Sequence, residues 1–490
     1  MSEVALSADE APPERLHPLM LVSGLGGSLR GVAGGYAGIG YLAATGRLDT
    51  ALILGALLLV GAVVSLLVYW RRFTFRVGTD ELRIDSGLIS RTHRSIPFDR
   101  VQDVDITQGP LQRLLGLASV TFDTGASGGS KEEGALNGIA LARAHALRDH
   151  VRARRGAEPA TTAALEEQAR PLFAMGLKRV LTAGVFNFSL AIFAGLFGLT
   201  QTMGDVIGFD PFERRFWIDL LANAGPLTGF VQDHRFGAAF AGLALLILLG
   251  LATGIARTLA RDFRFRLDRT GTGLRRRRGL LTLTDVTLPL RRVQAALILT
   301  GPVRERFGWR ELKLQSLAQD QGGSGDHQVA PLARDEELQP ILAELGWRFP
   351  EGPLQPVSKA YVWTFCLLLL PVLPIALVQA AVLPPLGAFT LAALGLLVIA
   401  RWLGWRRTAY ALGDEQLLVR GGWWRRRTLL LPLRNVQSVD LAENFIDRRF
   451  GIVGIRIGLA GGSGFSAHSI PALPREKASQ VRAALLSRFL

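Results

Sequence analysis

The chain has a single cysteine, Cys366, in 490 residues, which excludes an intramolecular disulfide framework and any cysteine-ligated zinc cluster. Its seven histidines, at 17, 93, 145, 150, 234, 327 and 468, are scattered without His-Glu-x-x-His or comparable spacing, so no metal and no cofactor is expected. Serines, acids and histidines form no triad or carboxylate-pair signature, which argues against an enzyme. Lysine is scarce, with five against 51 arginines. Acidic residues are outnumbered 41 to 56 by basic ones, for a formal charge of +15. What the chain has is apolar length: 49% hydrophobic residues, only 20% charged, and a mean hydropathy of +0.27. Such a chain is too apolar for an ordinary soluble protein and too basic to be uniformly greasy. Apolar and basic residues must be segregated along it, as in a membrane protein with cytosolic modules.

Apolar runs occur at about 19–45, 51–70, 180–202, 236–256, 361–382 and 386–403. Each approaches or exceeds the ~20 residues a helix needs to cross a ~30 Å hydrocarbon core. They group into transmembrane hairpins over 19–70, 180–256 and 361–403. The turns inside the pairs hold only Arg47, Arg214, Arg215 and Arg235, whereas Arg71, Arg72, Lys178, Arg179, Lys359, Arg406 and Arg407 flank the opposite ends. The positive-inside rule then puts both termini and all large segments in the cytoplasm. The tail, 1–18, is acidic at its start and lacks a basic n-region, so no cleaved signal peptide is expected. Arg30 interrupts the first run; it reads equally as a functional charge within the span or as a boundary residue beyond an interfacial helix over 19–29. The extracytoplasmic segment 203–235 carries Phe212, Phe216, Trp217, Leu220 and Leu221 at helical spacing and reads as a surface helix or a plain loop.

Three segments follow the span pairs: 71–155, 257–346 and 404–490, with linkers at 156–179 and 347–360. They align at offsets of 192 and then 143 positions, which carry Gly87 to Gly279 to Gly422, Pro97 to Pro289 to Pro432, Val101-Gln102 to Val293-Gln294 to Val436-Gln437, and Gly116 to Gly308 to Gly451. Landmarks holding register across two gaps mark an internal repeat. Within each copy, period-2 alternation with β-branched residues and glycine turns predicts short antiparallel strands. A terminal helical stretch follows, at 142–155, 334–345 and 474–490. The predicted fold is a multi-domain membrane protein with six transmembrane helices in three hairpins and three cytosolic β-barrel or sandwich modules, each closed by a C-terminal helix.

The repeated glycine, the apolar-Pro-apolar-x-Arg/Asn-Val-Gln run, and an arginine shortly before Phe/Leu-Gly resemble the bacterial PH-domain integral membrane proteins of the YdbT type. Pro97 to Gln102, Arg113 and Gly116 carry the resemblance in the first copy, Pro289 to Gln294, Arg306 and Gly308 in the second, and Pro432 to Gln437, Arg448, Arg449 and Gly451 in the third. The arginine register slips in the second copy, where Glu305 stands at the position of Arg113. The resemblance implies PH-like modules, a multi-pass location in the bacterial inner membrane, and no enzymatic activity.

Candidate binding residues are therefore sought among charges and aromatics. Arg91 and Arg94, Arg275 to Arg278, and Trp423-Trp424-Arg425-Arg426-Arg427 lie on equivalent strands around the first repeated glycine. Beside a membrane each such arginine could contribute roughly 1 kcal/mol with anionic headgroups, and the tryptophans suit the interface; a solvated strand face is the plainer alternative. The Pro-x-x-x-Val-Gln run (Pro97, Val101, Gln102 and their equivalents) reads as structural, with proline ending a strand, valine packed inward and glutamine tying a loop to backbone. The expected function is a non-catalytic membrane scaffold whose modules bind protein segments, other copies of the chain or anionic lipid, with no nucleic acid as partner. The alternative is a transporter or lipid-handling protein whose spans are the working part.

Overall fold

The computed structural model describes residues 12–24, 39, 42, 47–86, 92–101, 103–123, 135–154, 170–188, 218, 234–271, 273–317, 325–350, 352–459 and 468–486. Among the described residues three helices are long and apolar enough to cross a membrane: α1 (Leu48–Arg72), α2 (Arg235–Asp262, its apolar part Phe240–Asp262) and α3 (Pro384–Arg407). The bent pair Ala360–Leu369 and Val372–Val382, 50° apart, makes a fourth if it is one span; Pro371 and Pro374 account for the break. Most of the first expected span, with Arg30, most of the third and most of the segment 203–235 lie outside the described residues, so the described residues hold three to four of the six expected spans. Side chains such as Leu52 and Phe389, each 72% exposed, face outward in a way that hydrocarbon tolerates and water does not. α1 and α3 end on paired arginines, and α2 on Arg261, where cations complement the helix dipole and suit an inner membrane surface.

The chain forms two compact units, residues 1–169, 174–266 and 276–287, and residues 170–173, 267–275 and 288–490. In the first, strands Glu14–Arg15, Thr74–Val77, Glu81–Ser86 and β1 (Thr92–Pro97) make a four-stranded antiparallel sheet. β2 (Asp103–Gln108), Leu117–Asp123 and Ala135–Ala140 pair in turn. The alternating inward positions, among them Phe75, Leu82, Ile96, Val104, Ile106, Val120 and Leu136, fill one core with Leu147 and Val151 of the closing helix Leu141–Arg154. Each such side chain contributes about 1.5–3 kcal/mol on full burial. The next strand to pair is from the second repeat: β3 (Leu283–Pro289) runs antiparallel to β2 with Leu283 opposite Gln108, Thr284 opposite Thr107 and Asp285 opposite Ile106.

The second unit repeats this join. Its seven-stranded sheet runs Asp326–Ala333, Arg310–Ser316, β4 (Val293–Thr300), β5 (Arg426–Pro432), Gln416–Gly421, Ala409–Leu412 and Gln355–Pro356. β6 (Val436–Ala442), Ile452–Leu459 and His468–Pro474 form a last three-stranded sheet, closed by the helix Arg475–Leu486. β4 and β5 pair from Ala296 opposite Leu430 to Thr300 opposite Arg426. Shifting the first join by the two repeat offsets turns Gln108–Leu283 into Thr300–Arg426, so both joins have the same register. Ala295 and Leu297 of β4 face the third repeat's core with Leu429 and Leu431, while Ala296, Ile298 and Leu430 are buried on the other face. A strand covered on both faces reads as a continuous apolar run, as 295–299 does. The modules are thus not separate beads: the second half of one repeat hydrogen-bonds to the first half of the next.

The segments expected as linkers contain the strands Arg170–Ala174 and Gln355–Pro356. Gln355 lies opposite Tyr410 as Glu14 lies opposite Phe75, so a short opening strand belongs to the repeat. Indole N–H groups hold it, Trp70 Nε1 donating to Leu16 O at 2.9 Å and Trp405 Nε1 to Val357 O at 3.0 Å.

Candidate membrane-facing site

Two glycine turns set the geometry. Gly279 has φ +123° and Gly422 φ +83°, a region that disfavours any side chain. A Cβ would lie 1.8 Å from Thr282 O at the first and 2.1 Å from Arg425 O at the second, so the backbone closes there only without one. The first turn is docked on the end of a membrane helix: Gly279 N–H donates to Phe263 O (2.9 Å) and Leu280 N–H to Ala260 O (3.0 Å), satisfying carbonyls at the α2 terminus. Leu281, at the tip, is 55% exposed. Beside it stands the short helix Pro110–Leu114 of the first repeat, whose Arg113 Nη1 donates to Leu280 O at 2.7 Å and whose Leu114 is 82% exposed.

The second turn follows the same plan with different chemistry. Trp423 and Trp424 lie against each other at 5.6 Å between ring centroids with their planes tilted by 59°, and Trp424 is exposed. The neighbouring short helix Pro302–Arg306 supplies Glu305, whose carboxylate accepts from Arg426 of the turn and, at 3.3 Å, from Arg407 Nη1 in the last turn of α3. One carboxylate therefore ties the aromatic turn to the end of a membrane helix. Val303 of that short helix and Phe307 just after it are also exposed. The substitution of glutamate at the Arg113 position was visible as a break in the repeat pattern, but its partners were not, since Arg407 and Arg426 lie far along the chain.

The other predicted arginines are placed unequally. Arg425 and Arg427 are exposed beside the tryptophans, and Arg94 is half-buried on β1. Arg275 and Arg276 are buried, and Arg277 and Arg278 half-buried, with Arg278 Nη1 at 3.2 Å from the fully buried Asp262 carboxylate that Arg261 also engages. Of the four, Arg278 is engaged by Asp262, whose burial requires cationic donors, and Arg275 and Arg276 lie inside the fold rather than on a solvated face. Arg91, Gly87 and Gln102 lie outside the described residues. In the signature run, Pro289 and Pro432 end strands and lead into the turns Leu290–Arg292 and Leu433–Asn435. Val101, Val293 and Val436 are buried; Gln294 Nε2 donates to Arg292 O at 3.2 Å, whereas Gln437 is exposed. Gly116, Gly308 and Gly451 all adopt φ between +64° and +71° after their short helices. Among the described residues no group of three or more His, Cys, Asp or Glu side chains could hold a metal ion.

Repeated antiparallel sheets that follow apolar helices, with basic and aromatic turns at the helix ends, define a membrane protein built from PH-like repeats. The chain belongs to the bacterial PH domain family, whose model matches it at residues 33–155, 221–345 and 366–489. It is similar to the UPF0699 transmembrane protein YdbT of Bacillus subtilis (strain 168), at 23% identity over 440 residues and 83% of each chain. It is also similar to the UPF0699 transmembrane protein YdbS of that organism, at 35% identity over 82 residues, which are 15% of this chain and 50% of that one. No solved structure matches it.

Proposed function

We propose that the chain is a non-catalytic scaffold of the bacterial inner membrane whose glycine turns bind anionic lipid headgroups. The reading is carried by the docking of Gly279 and Leu280 on the terminal carbonyls of α2, which supports a position for the turn at the membrane boundary. The Trp423-Trp424 pair and exposed Arg425 and Arg427 give the third repeat the composition of an interfacial anchor, at about 1 kcal/mol per arginine on an anionic surface. Several weak sites on one chain add through effective concentration. The 50° break near Pro371 is the ordinary result of proline in a helix, and lends no weight to the alternative in which the spans transport a solute or lipid.

The test purifies the full chain from mixed phosphatidylcholine and phosphatidylglycerol membranes and measures the retained lipid by native mass spectrometry. The wild type is expected to keep phosphatidylglycerol preferentially, and Arg425→Gln/Arg427→Gln to lose most of that preference. Equal retention of both lipids by the wild type, or an unchanged preference in the variant, overturns the reading.

A further inference from the structure

Both joins between repeats use the same two edges: the first strand of a repeat's second half (β2, β4) and the last strand of the next repeat's first half (β3, β5). Among the described residues one edge of each kind is therefore left without a paired strand. β1, in the first unit, is the equivalent of β3 and β5 and lies at the end of its four-stranded sheet; β6, in the second unit, is the equivalent of β2 and β4 and lies at the end of its three-stranded sheet. We infer that these edges pair between two copies of the chain, head to tail, β6 of one copy with β1 of the next.

The internal joins dictate the register. Carrying Ala296–Leu430 through Thr300–Arg426 forward on one side by 143 positions, and back on the other by the full repeat span, places Val439 opposite Ser95, Asp440 opposite Arg94, Leu441 opposite His93 and Ala442 opposite Thr92. The side chains agree with that pairing. Leu441 shares a face with the core residue Val439, and its equivalents Ile106 and Ile298 are buried at 3% and 5% exposure; Leu441 is 40% exposed. At both internal joins a strand of the next repeat pairs opposite this position, and among the described residues none does so here. Asp440, exposed, meets the guanidinium of Arg94, an opposite-charge cross-strand pair of the stabilising kind. A charged residue also guards solitary edges against pairing, but an edge designed only for defence would not keep an uncovered leucine beside it. The contact is heterologous, so it builds rings or rows rather than closed twofold dimers.

Disulfide trapping between two differently tagged, co-expressed copies tests this in native membranes. The sole cysteine is first removed by Cys366→Ser; one copy then carries Leu441→Cys and the other His93→Cys. Opposed Cα atoms on antiparallel strands are about 4.5–5.5 Å apart, within disulfide reach. Oxidation is expected to give a product bearing both tags, while Leu441→Cys with Arg83→Cys, one strand further in, gives none. Adding Asp440→Arg to the first copy lowers the yield about tenfold through like-charge opposition, and adding Arg94→Asp to the second restores it. Absence of the mixed product from copies that reach the membrane at wild-type level and melt normally, equal trapping of the Arg83 control, or a yield indifferent to the charge reversal each overturns the inference. None of these results depends on headgroup binding, so the two proposals stand or fall separately.

Discussion

Gly116 and Gly279 both have positive φ, yet they differ in what surrounds them. A Cβ at Gly116 meets nothing within 4 Å, whereas one at Gly279 meets the Thr282 carbonyl at 1.8 Å. Gly116→Ala is therefore expected to cost about 1–2 kcal/mol of backbone strain. Gly279→Ala adds displacement of the turn from the α2 terminus and lowers the thermal midpoint of the full protein in detergent by clearly more. Arg148 is the other residue whose surroundings decide its worth. It is 1% exposed in the closing helix of the first repeat, and its Nη1 lies 3.2 Å from the Asp285 carboxylate on β3. Removing one partner of such a buried pair leaves the other charge desolvated, so Arg148→Ala is expected to cost about 3–5 kcal/mol in thermal or denaturant unfolding. Arg148→Met with Asp285→Leu should recover much of that loss. The pairing was not readable beforehand: 137 positions separate the two residues, and β3 belongs to the next repeat.

At the scale of elements, the join between the second and third repeats carries a pH response. His468, opening the strand His468–Pro474, has Nε2 2.6 Å from Gln315 Oε1. Burial holds its imidazole below the usual histidine range; Asp326 opposes this and the Arg427 cation adds to it. The fold therefore favours the neutral ring, while the unfolded chain titrates near 6.5. The stabilising contribution is present above that value and is lost as pH falls below it, because the unfolded state then binds the extra proton. Melts between about pH 5 and 8 should show a falling acid limb that His468→Gln flattens. Most strands and the closing helices were legible in the sequence, since alternation and amphipathic spacing are local. The opening strands Arg170–Ala174 and Gln355–Pro356 were not, being short segments in alanine-, proline- and glutamate-rich stretches that acquire strand structure through partners brought in by the fold. The burial of the tetra-arginine strand 275–278 was not readable for a related reason: its charge is obvious, but the buried Asp262 that takes up Arg278 is an isolated acid in the sequence.

For the whole molecule, the repeats follow helices whose arginine-bearing ends are equivalent, which predicts one sidedness for all three. Single cysteines at Arg83, Glu336 and Glu476, exposed positions in the successive repeats, introduced into the Cys366→Ser chain, should react with an impermeant maleimide only when the cytoplasmic face is open. Labelling of any one of them from outside intact cells would contradict a common orientation. The joins also explain how like repeats keep their order. Equivalent positions hold Asp285 in one join and Thr428 in the other, and only Asp285 meets a buried arginine, Arg148. Mispairing β2 with β5 would leave Arg148 without its carboxylate, a cost that selects the right neighbour.

The sequence by itself determined the apolar spans, the triplication, its register and the PH-like class, because hydropathy, periodicity and spacing are properties of the chain read in order. Only the tertiary structure decided that successive repeats share hydrogen-bonded edges, that Glu305 binds an aromatic turn to α3, and that among the described residues one edge of each kind is left over. Those outcomes depend on backbone groups and charges from distant segments meeting in space, and backbone hydrogen bonding leaves no mark on the identity of the side chains that carry it.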